Sequence, residues 1–504
     1  MQNAETKTKR LNAEAGSVSS FFLQHSAFVL IALLALAVRL PQLGVRPMHT
    51  DEAINAYLTG QSLAGESYHY DPQDRHGPAL VEFTLPLVRL AGANSFSDLT
   101  ETRLRLVPVI AGSVTVLLFG AAVELFGFIP CLVAALLFAI GPLPVYYSRY
   151  FIHETMFVAA TFGLMVSGWR AWRESSLLFA GLAGGCAGLM LACKETAVIH
   201  FFALGLAVAV GRRFQMAKKI PPVQICLAVA TAFIFTAILL FTWGGQNWSA
   251  LADLVRAIPN FAARAGGQGH EKSFGYYFVI LDPLFVFFVA AAAGIYAVIC
   301  DAFAGRRTDG LVLAIYALLI FLIYSAIPYK TPWLALNLWL PLALLCGLGV
   351  EGVWQQFPNA NGRWVIAIVT GALLLVAGEQ TKTLAFDHPA GEQNPLAYAQ
   401  TTEDILGLPQ RLKEICQEQN LVQPRIAVVA KDPWPLPWYL RKFSRVGFWQ
   451  PNQETGDADF FITTTDVSGK LAERLKNYRP EYFGVRPNVL LILWSPPATD
   501  SSHE

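Results

Sequence analysis

Eleven stretches of this chain are apolar for most or all of the length that a bilayer requires, and no other feature limits its fold so strongly. A hydrocarbon core about 30 Å thick takes about 20 helical residues at 1.5 Å each. The runs, bounded by charge or by Gly and Pro, fall at 22–40, 104–126, 128–145, 155–171, 177–192, 197–210, 225–243, 276–300, 310–327, 333–354 and 364–378. A further apolar segment, 79–93, is shorter and carries Arg89, which suits a helix lying in the interface. Basic residues precede the first run but no small-residue cleavage site follows it, so it is expected to stay as an anchor. The expected fold is therefore a polytopic α-helical membrane protein of about 11 transmembrane helices.

The charge distribution divides the chain. Of its 504 residues 54% are hydrophobic and only 14% charged, against about 25% charged in a soluble globular chain. Of the 73 Lys, Arg, Asp and Glu residues, 28 lie in 381–504. The expected domains are a membrane domain, 1–380, with a large first outer loop at 41–103, and a small soluble domain, 381–504. The latter alternates helix-like stretches at 402–419 and 468–478 with apolar strand-like runs at 425–430, 458–464 and 489–494, the pattern of an α/β layer. A net charge of +1 gives no field for a phosphate polymer, so nucleic acid is not an expected partner. Six of the seven cysteines lie in apolar stretches, which offers no disulfide framework.

Short-loop charge sets the expected orientation. Lys7, Lys9 and Arg10, then Arg173, then Arg212, Arg213, Lys218 and Lys219, then Arg306 and Arg307, then Arg363 all fall on one side. That side reads as cytoplasmic. Eleven crossings from a cytoplasmic N-terminus put the tail outside the cytoplasm.

The polar residues with chemical potential gather on the opposite side. Met48-His49-Thr50-Asp51-Glu52 opens the first outer loop. Paired carboxylates beside a His suit a general base or part of a metal site; an acidic helix start capped by Thr50 accounts for the same residues, and the two readings are compatible. Arg75 and His76 precede the interfacial segment. Tyr147, Arg149 and Glu154 lie between the third and fourth runs, Lys194-Glu195 between the fifth and sixth, and Lys330-Thr331-Pro332-Trp333 after the ninth. Individually, tyrosines here fit an aromatic belt and the cations fit snorkelling anchors; their gathering on one side is what suggests a site.

Together these elements resemble the GT-C superfamily of glycosyltransferases that use polyprenyl-phosphate sugars. Within it they are most similar to the protein O-mannosyltransferase and lipid A aminoarabinose transferase branch, including prokaryotic proteins associated with flippase activity. The matching elements are Asp51-Glu52, then His76-Gly77-Pro78-Ala79-Leu80 with Gly for the family's first Pro, the Tyr147 to Glu154 segment with Glu where many members have Asp, Lys194, and Lys330 to Trp333. The resemblance implies a membrane enzyme that moves a hexosyl or pentosyl group from a polyprenyl-phosphate donor to a lipid, glycan or protein acceptor on the outer face of the cell membrane. It implies Asp51 as base, and Arg149, Lys194 and Lys330 as cations for the leaving phosphate. Glu52, His76 and Glu154 are expected to orient the acceptor or to hold a divalent metal, which some family members use and others do not; Tyr147 is expected to contact substrate. Two other classes fit less closely. A lipid-linked-sugar flippase or other transporter calls for charges inside spans and access from both faces, and a non-catalytic subunit of a glycosylation complex gives no reason for acids at Asp51 and Glu154.

Overall fold

The computed structural model describes residues 24–73, 75–214, 222–267, 269–281, 286–305, 309–357 and 359–497. The chain divides into two compact units, one of Met1–Pro41, His69–Glu82 and Leu106–Asp387, the other of Gln42–Tyr68, Phe83–Arg105 and His388–Glu504.

The first unit is helical. Among the described residues six helices are long and apolar enough to cross a membrane: Glu101–Ala121, which begins in the other unit, Val223–Phe241, Val286–Phe303, Asp309–Ala326, Pro332–Gln356 and Ala360–Asp387. Phe128–Ile140 and Pro142–Ser148 form a pair bent by 55° that would make a seventh. The bend falls at Gly141-Pro142, where Pro cannot supply the N–H that would continue the first helix. Helices Gln24–Arg39, Leu177–Cys193 and Ala197–Gly211 are apolar but shorter. The sequence reading counts about eleven spans because it scores each apolar run alone. Helix Glu154–Glu174 shows the difference: its last turns bring in Arg170, Arg173 and Glu174. Lys7, Lys9, Arg10, Lys218, Lys219, Arg306 and Arg307, used in the orientation argument, lie outside the described residues.

Small residues set the packing of this unit. A side chain at Gly294 would collide with the Leu345 carbonyl oxygen, and one at Gly349 with the Ala290 carbonyl oxygen. Helix Val286–Phe303 thus packs backbone to backbone on helix Ala335–Gln356, as membrane helices do when dispersion rather than water drives their association.

The second unit contains a five-stranded mixed sheet. Its strands are β1 (Ile426–Val429), β2 (Val446–Trp449), β3 (Phe460–Thr464), β4 (Arg479–Arg486) and β5 (Val489–Ser495), in the order β2-β1-β3-β5-β4. β1 runs parallel to β2 and β3, and β5 antiparallel to β3 and β4. β1 is buried along its whole length and β3 along all but its last residue, the signature of inner strands. Helix Gly407–Glu418 buries Leu408, Leu412 and Ile415, a helical stripe. The sequence reading marks β1, β3 and β5 but not β2 or β4. Those two are the sheet's edges, where one side of the strand faces solvent and the apolar signal thins.

Candidate functional site

Within the second unit, helix Thr50–Leu63 is fixed at its N-terminus by a reciprocal cap. The His49 Nδ1 accepts the Asp51 N–H at 3.1 Å, and a Glu52 carboxylate oxygen accepts the His49 N–H at 3.1 Å. His49 must be unprotonated at Nδ1 to do this. Burial lowers its pKa against the pull of Asp51 and Glu52, which keeps it in the neutral form.

Glu52 is fully buried. Arg105 grips it in a two-pronged pair, Nε to Oε1 and Nη2 to Oε2, each at 2.8 Å, while Arg46 lies 3.5 Å from Oε1. Arg105 also donates to the carbonyls of Leu43 and Arg46 at 2.6 and 2.9 Å. The loop entering the helix is held as firmly: the Met48 N–H donates to the Tyr439 hydroxyl at 2.8 Å, and Thr401 donates to the Met48 carbonyl at 2.7 Å. Tyr439 belongs to the Trp434 to Arg441 peptide, whose Trp438 indole donates to Glu101 at 2.8 Å. Hydrogen bonds therefore hold Met48, His49 and Glu52 on either side of Asp51. Its own carboxylate is partly exposed and, among the described residues, makes no hydrogen bond or ion pair.

A second cluster occupies the first unit. Lys194 and Glu154, both buried, form an ion pair. The neighbouring Glu195 accepts the Tyr70 hydroxyl at 2.7 Å and meets His76 Nδ1 at 3.1 Å. Burial pushes the Glu195 carboxyl up, but His76 and the hydrogen bonds outweigh it and hold the pKa at about 2. His153 lies edge-on to His76, ring centres 5.5 Å apart, and its Nε2 is 3.1 Å from the Gly77 carbonyl oxygen. Its pKa is pushed well below the ordinary histidine value by burial first, then by His76 and Lys194. Gly77, standing where the family pattern has Pro, lies against helix Leu177–Cys193, and a side chain there would meet the Ala192 carbonyl oxygen at 2.1 Å.

The remaining predicted residues are buried with partners of other kinds. Arg149 donates to the carbonyls of Arg39 and Pro41 at the end of the first helix and sits 4.2 Å above the Phe386 ring. The Lys330 ammonium donates to the carbonyls of Lys272 and Ile327, and burial lowers its pKa. The Tyr147 ring packs edge-on against Tyr146 and Tyr150, and Tyr150 stacks on Trp333. Among the described residues no group of three or more His, Cys, Asp or Glu side chains could hold a metal ion. With both Glu52 oxygens committed to Arg105 and Glu154 paired with Lys194, these acids do not fit a divalent centre.

Sequence reasoning left out Arg105 and His200, and it noted His153 and Glu195 only within their segments, without a role. Arg105 lies at the start of an apolar run, where an arginine has to find a partner. His200 sits inside helix Ala197–Gly211, fully enclosed, its two ring nitrogens 2.7 and 3.0 Å from the hydroxyls of Tyr316 and Tyr324. A lone His in an apolar helix is a signal of the same type.

The profile of the dolichyl-phosphate-mannose-protein mannosyltransferase family matches residues 88–240. In structure the chain is similar to ArnT from Cupriavidus metallidurans. The apo form superposes with a TM-score of 0.65 at 16% identity over 92% of this chain and 97% of that one; the form bound to undecaprenyl phosphate gives 0.62 at 14% over 94% and 98%. The chain has the fold of ArnT. A second structure, the oligosaccharyltransferase AglB from Archaeoglobus fulgidus with an inhibitory peptide and dolichol phosphate, superposes with a TM-score of 0.56 at 14% identity, over 94% of this chain and 76% of that one. Comparison with curated proteins gives no match. At these identities the likeness is one of fold.

Proposed function

We propose that this protein is a GT-C glycosyltransferase and transfers a hexosyl or pentosyl group from a polyprenyl-phosphate donor to a hydroxyl of a lipid, glycan or protein acceptor. The acceptor oxygen attacks the anomeric carbon, the bond from that carbon to the phosphate oxygen breaks, and polyprenyl phosphate departs with the electron pair. Asp51 takes the hydroxyl proton. The observation that carries this reading is the Asp51 carboxylate, which makes no hydrogen bond or ion pair among the described residues and stands on a helix end that the His49 and Glu52 reciprocal cap holds. A base held this way loses little entropy on meeting its substrate.

Glu52, on this reading, is a positioning residue. Its pair with Arg105 orients the turn that presents Asp51. In the other unit Lys194 is the first candidate for the leaving phosphate, kept in place by Glu154 until a phosphate competes for it. Arg149 and Lys330 add positive charge in that unit, and His76 and Tyr147 contact substrate. The reaction takes place on the outer face, with the N-terminus cytoplasmic, residues 1–380 as the membrane domain and 381–504 outside.

Incubating purified protein with radiolabelled polyprenyl-phosphate sugars and membrane extract tests the proposal. Label should move onto an acceptor while polyprenyl phosphate is released. Passage of intact lipid-linked sugar across reconstituted vesicles without transfer would instead make the protein a flippase.

A further inference from the structure

Helix Phe128–Ile140 ends just before Pro142, and Pro144 follows within the next turn. In an unbroken helix residue 142 would donate to the carbonyl of Phe138 and residue 144 to that of Ile140. Proline has no N–H, so both carbonyls lose their donors. Side chains from two other helices take over. Arg39, at the end of helix Gln24–Arg39, donates through Nη2 to the Phe138 oxygen at 2.7 Å and through Nη1 to the Ala139 oxygen at 2.8 Å. The Thr381 hydroxyl, on helix Ala360–Lys382, lies 2.5 Å from the Ile140 oxygen. It also lies 2.9 Å from the Ala377 oxygen, but that carbonyl is four residues back in its own helix, where the backbone ladder serves it. Among the described residues no backbone N–H donates to Phe138, Ala139 or Ile140.

The far end of the break returns to the same arginine. Short helix Pro142–Ser148 ends at Arg149, whose Nη1 donates to the carbonyls of Arg39 and Pro41. Arg39 therefore holds the start of the short helix with its guanidinium and the end with its carbonyl oxygen. This arrangement is costly. Arg39 is fully buried and, among the described residues, has no acidic partner; the negative end of helix Phe128–Ile140 takes that place. Its space depends on Gly112, where a side chain would collide with Ser148 Oγ and crowd Arg39 Nε. An unbroken helix would need neither the buried charge nor the threonine. Charges among membrane helices are rare and mark functional positions, and what this one fixes is the direction of the segment that carries Tyr147 and Arg149.

We infer that Arg39 and Thr381 are positioning residues for sugar transfer: by replacing the two N–H groups that Pro142 and Pro144 lack, they set the bend that presents Arg149 and Tyr147 to the donor. The inference rests on the reading of Arg149 and Tyr147 given under the proposed function. Neither Arg39 nor Thr381 touches substrate; both act through the short helix.

The test compares the full-length parent in detergent with Arg39→Met, Thr381→Val and Thr381→Ser. Thr381→Val removes one hydroxyl at nearly constant shape, and Thr381→Ser keeps it. Transfer from a radiolabelled polyprenyl-phosphate sugar gives the donor KM, and titration with undecaprenyl phosphate gives an affinity that needs no turnover. Thermal melts set the folded fraction of each variant. Thr381→Val and Arg39→Met should raise the donor KM and weaken undecaprenyl phosphate by about tenfold each per folded molecule, with the acceptor dependence unchanged, and Thr381→Ser should stand near the parent. A purely structural role would lower the melting temperature and leave both donor constants of the folded protein as they are, which would overturn the inference and spare the glycosyl-transfer reading. A parent that binds undecaprenyl phosphate but transfers no sugar would overturn that reading, while the affinities of the variants still decide the positioning. A parent that does neither would overturn both.

Discussion

Asp51 and Glu52 are adjacent acids with opposite fates, and a helix N-terminus separates them. Glu52, the third residue of the helix, turns back into the protein onto His49 and Arg105, while Asp51 stays partly exposed. The sequence identifies the pair but cannot divide its roles, because the division depends on Arg105, 53 residues further along. Glu195 shows the same limit in the other unit: its neighbour Lys194 is conspicuous in sequence, yet Glu195 carries the contacts to Tyr70 and His76. Its folded pKa of about 2 lies below the ordinary 4.5. A depressed carboxylate pKa adds stability that is fully present above pH 4.5 and is lost as pH falls towards 2, up to about 3 kcal/mol. Melting temperatures in detergent should therefore fall on acidification across that window, and Glu195→Gln should flatten the fall. An identical acid slope in the variant would show that His76 and Tyr70 do not hold this carboxylate.

The Glu52 and Arg105 pair joins two helices, Thr50–Leu63 and Glu101–Ala121, through groups that are 0% and 1% exposed. Removing Glu52 leaves the buried Arg105 charge without its carboxylate, and removing Arg105 leaves Glu52 only the longer contact to Arg46, at a cost of about 3 to 5 kcal/mol at most. Glu52→Gln and Arg105→Met should each lower the unfolding midpoint strongly, and the double variant should recover much of the loss. Additive losses in that cycle would mean that the two side chains do not act as a pair. At this scale the sequence was legible wherever a run was apolar throughout. The stretches 177–192, 225–243 and 310–327 lie within one or two residues of helices Leu177–Cys193, Val223–Phe241 and Asp309–Ala326. It was not legible where burial is one-sided, as at edge strands β2 and β4, or where a helix bends within one apolar run, as at Gly141.

For the whole molecule, the mostly helical fold with a small mixed sheet near its C-terminus follows from the two compositions the chain contains, apolar to about residue 380 and charged thereafter. The resemblance to the GT-C family rests on the order of weak motifs rather than on any one of them. Orientation rests on the clustering of Lys and Arg in short loops and predicts that a reporter fused after Glu504 lies outside the cytoplasm. Alkaline phosphatase there should be active and a fluorescent protein dark; the reverse would place the Asp51 loop on the cytoplasmic side. The central claim, however, is that an unpartnered Asp51 is the base of a sugar transfer. It is tested most directly by measuring transfer from a polyprenyl-phosphate sugar with the parent protein and with Asp51→Asn at matched melting temperature. The amide keeps the size of the side chain but cannot take a proton, so transfer should fall by about 100-fold or more with donor binding unchanged. Full activity in the folded Asp51→Asn variant would contradict the account.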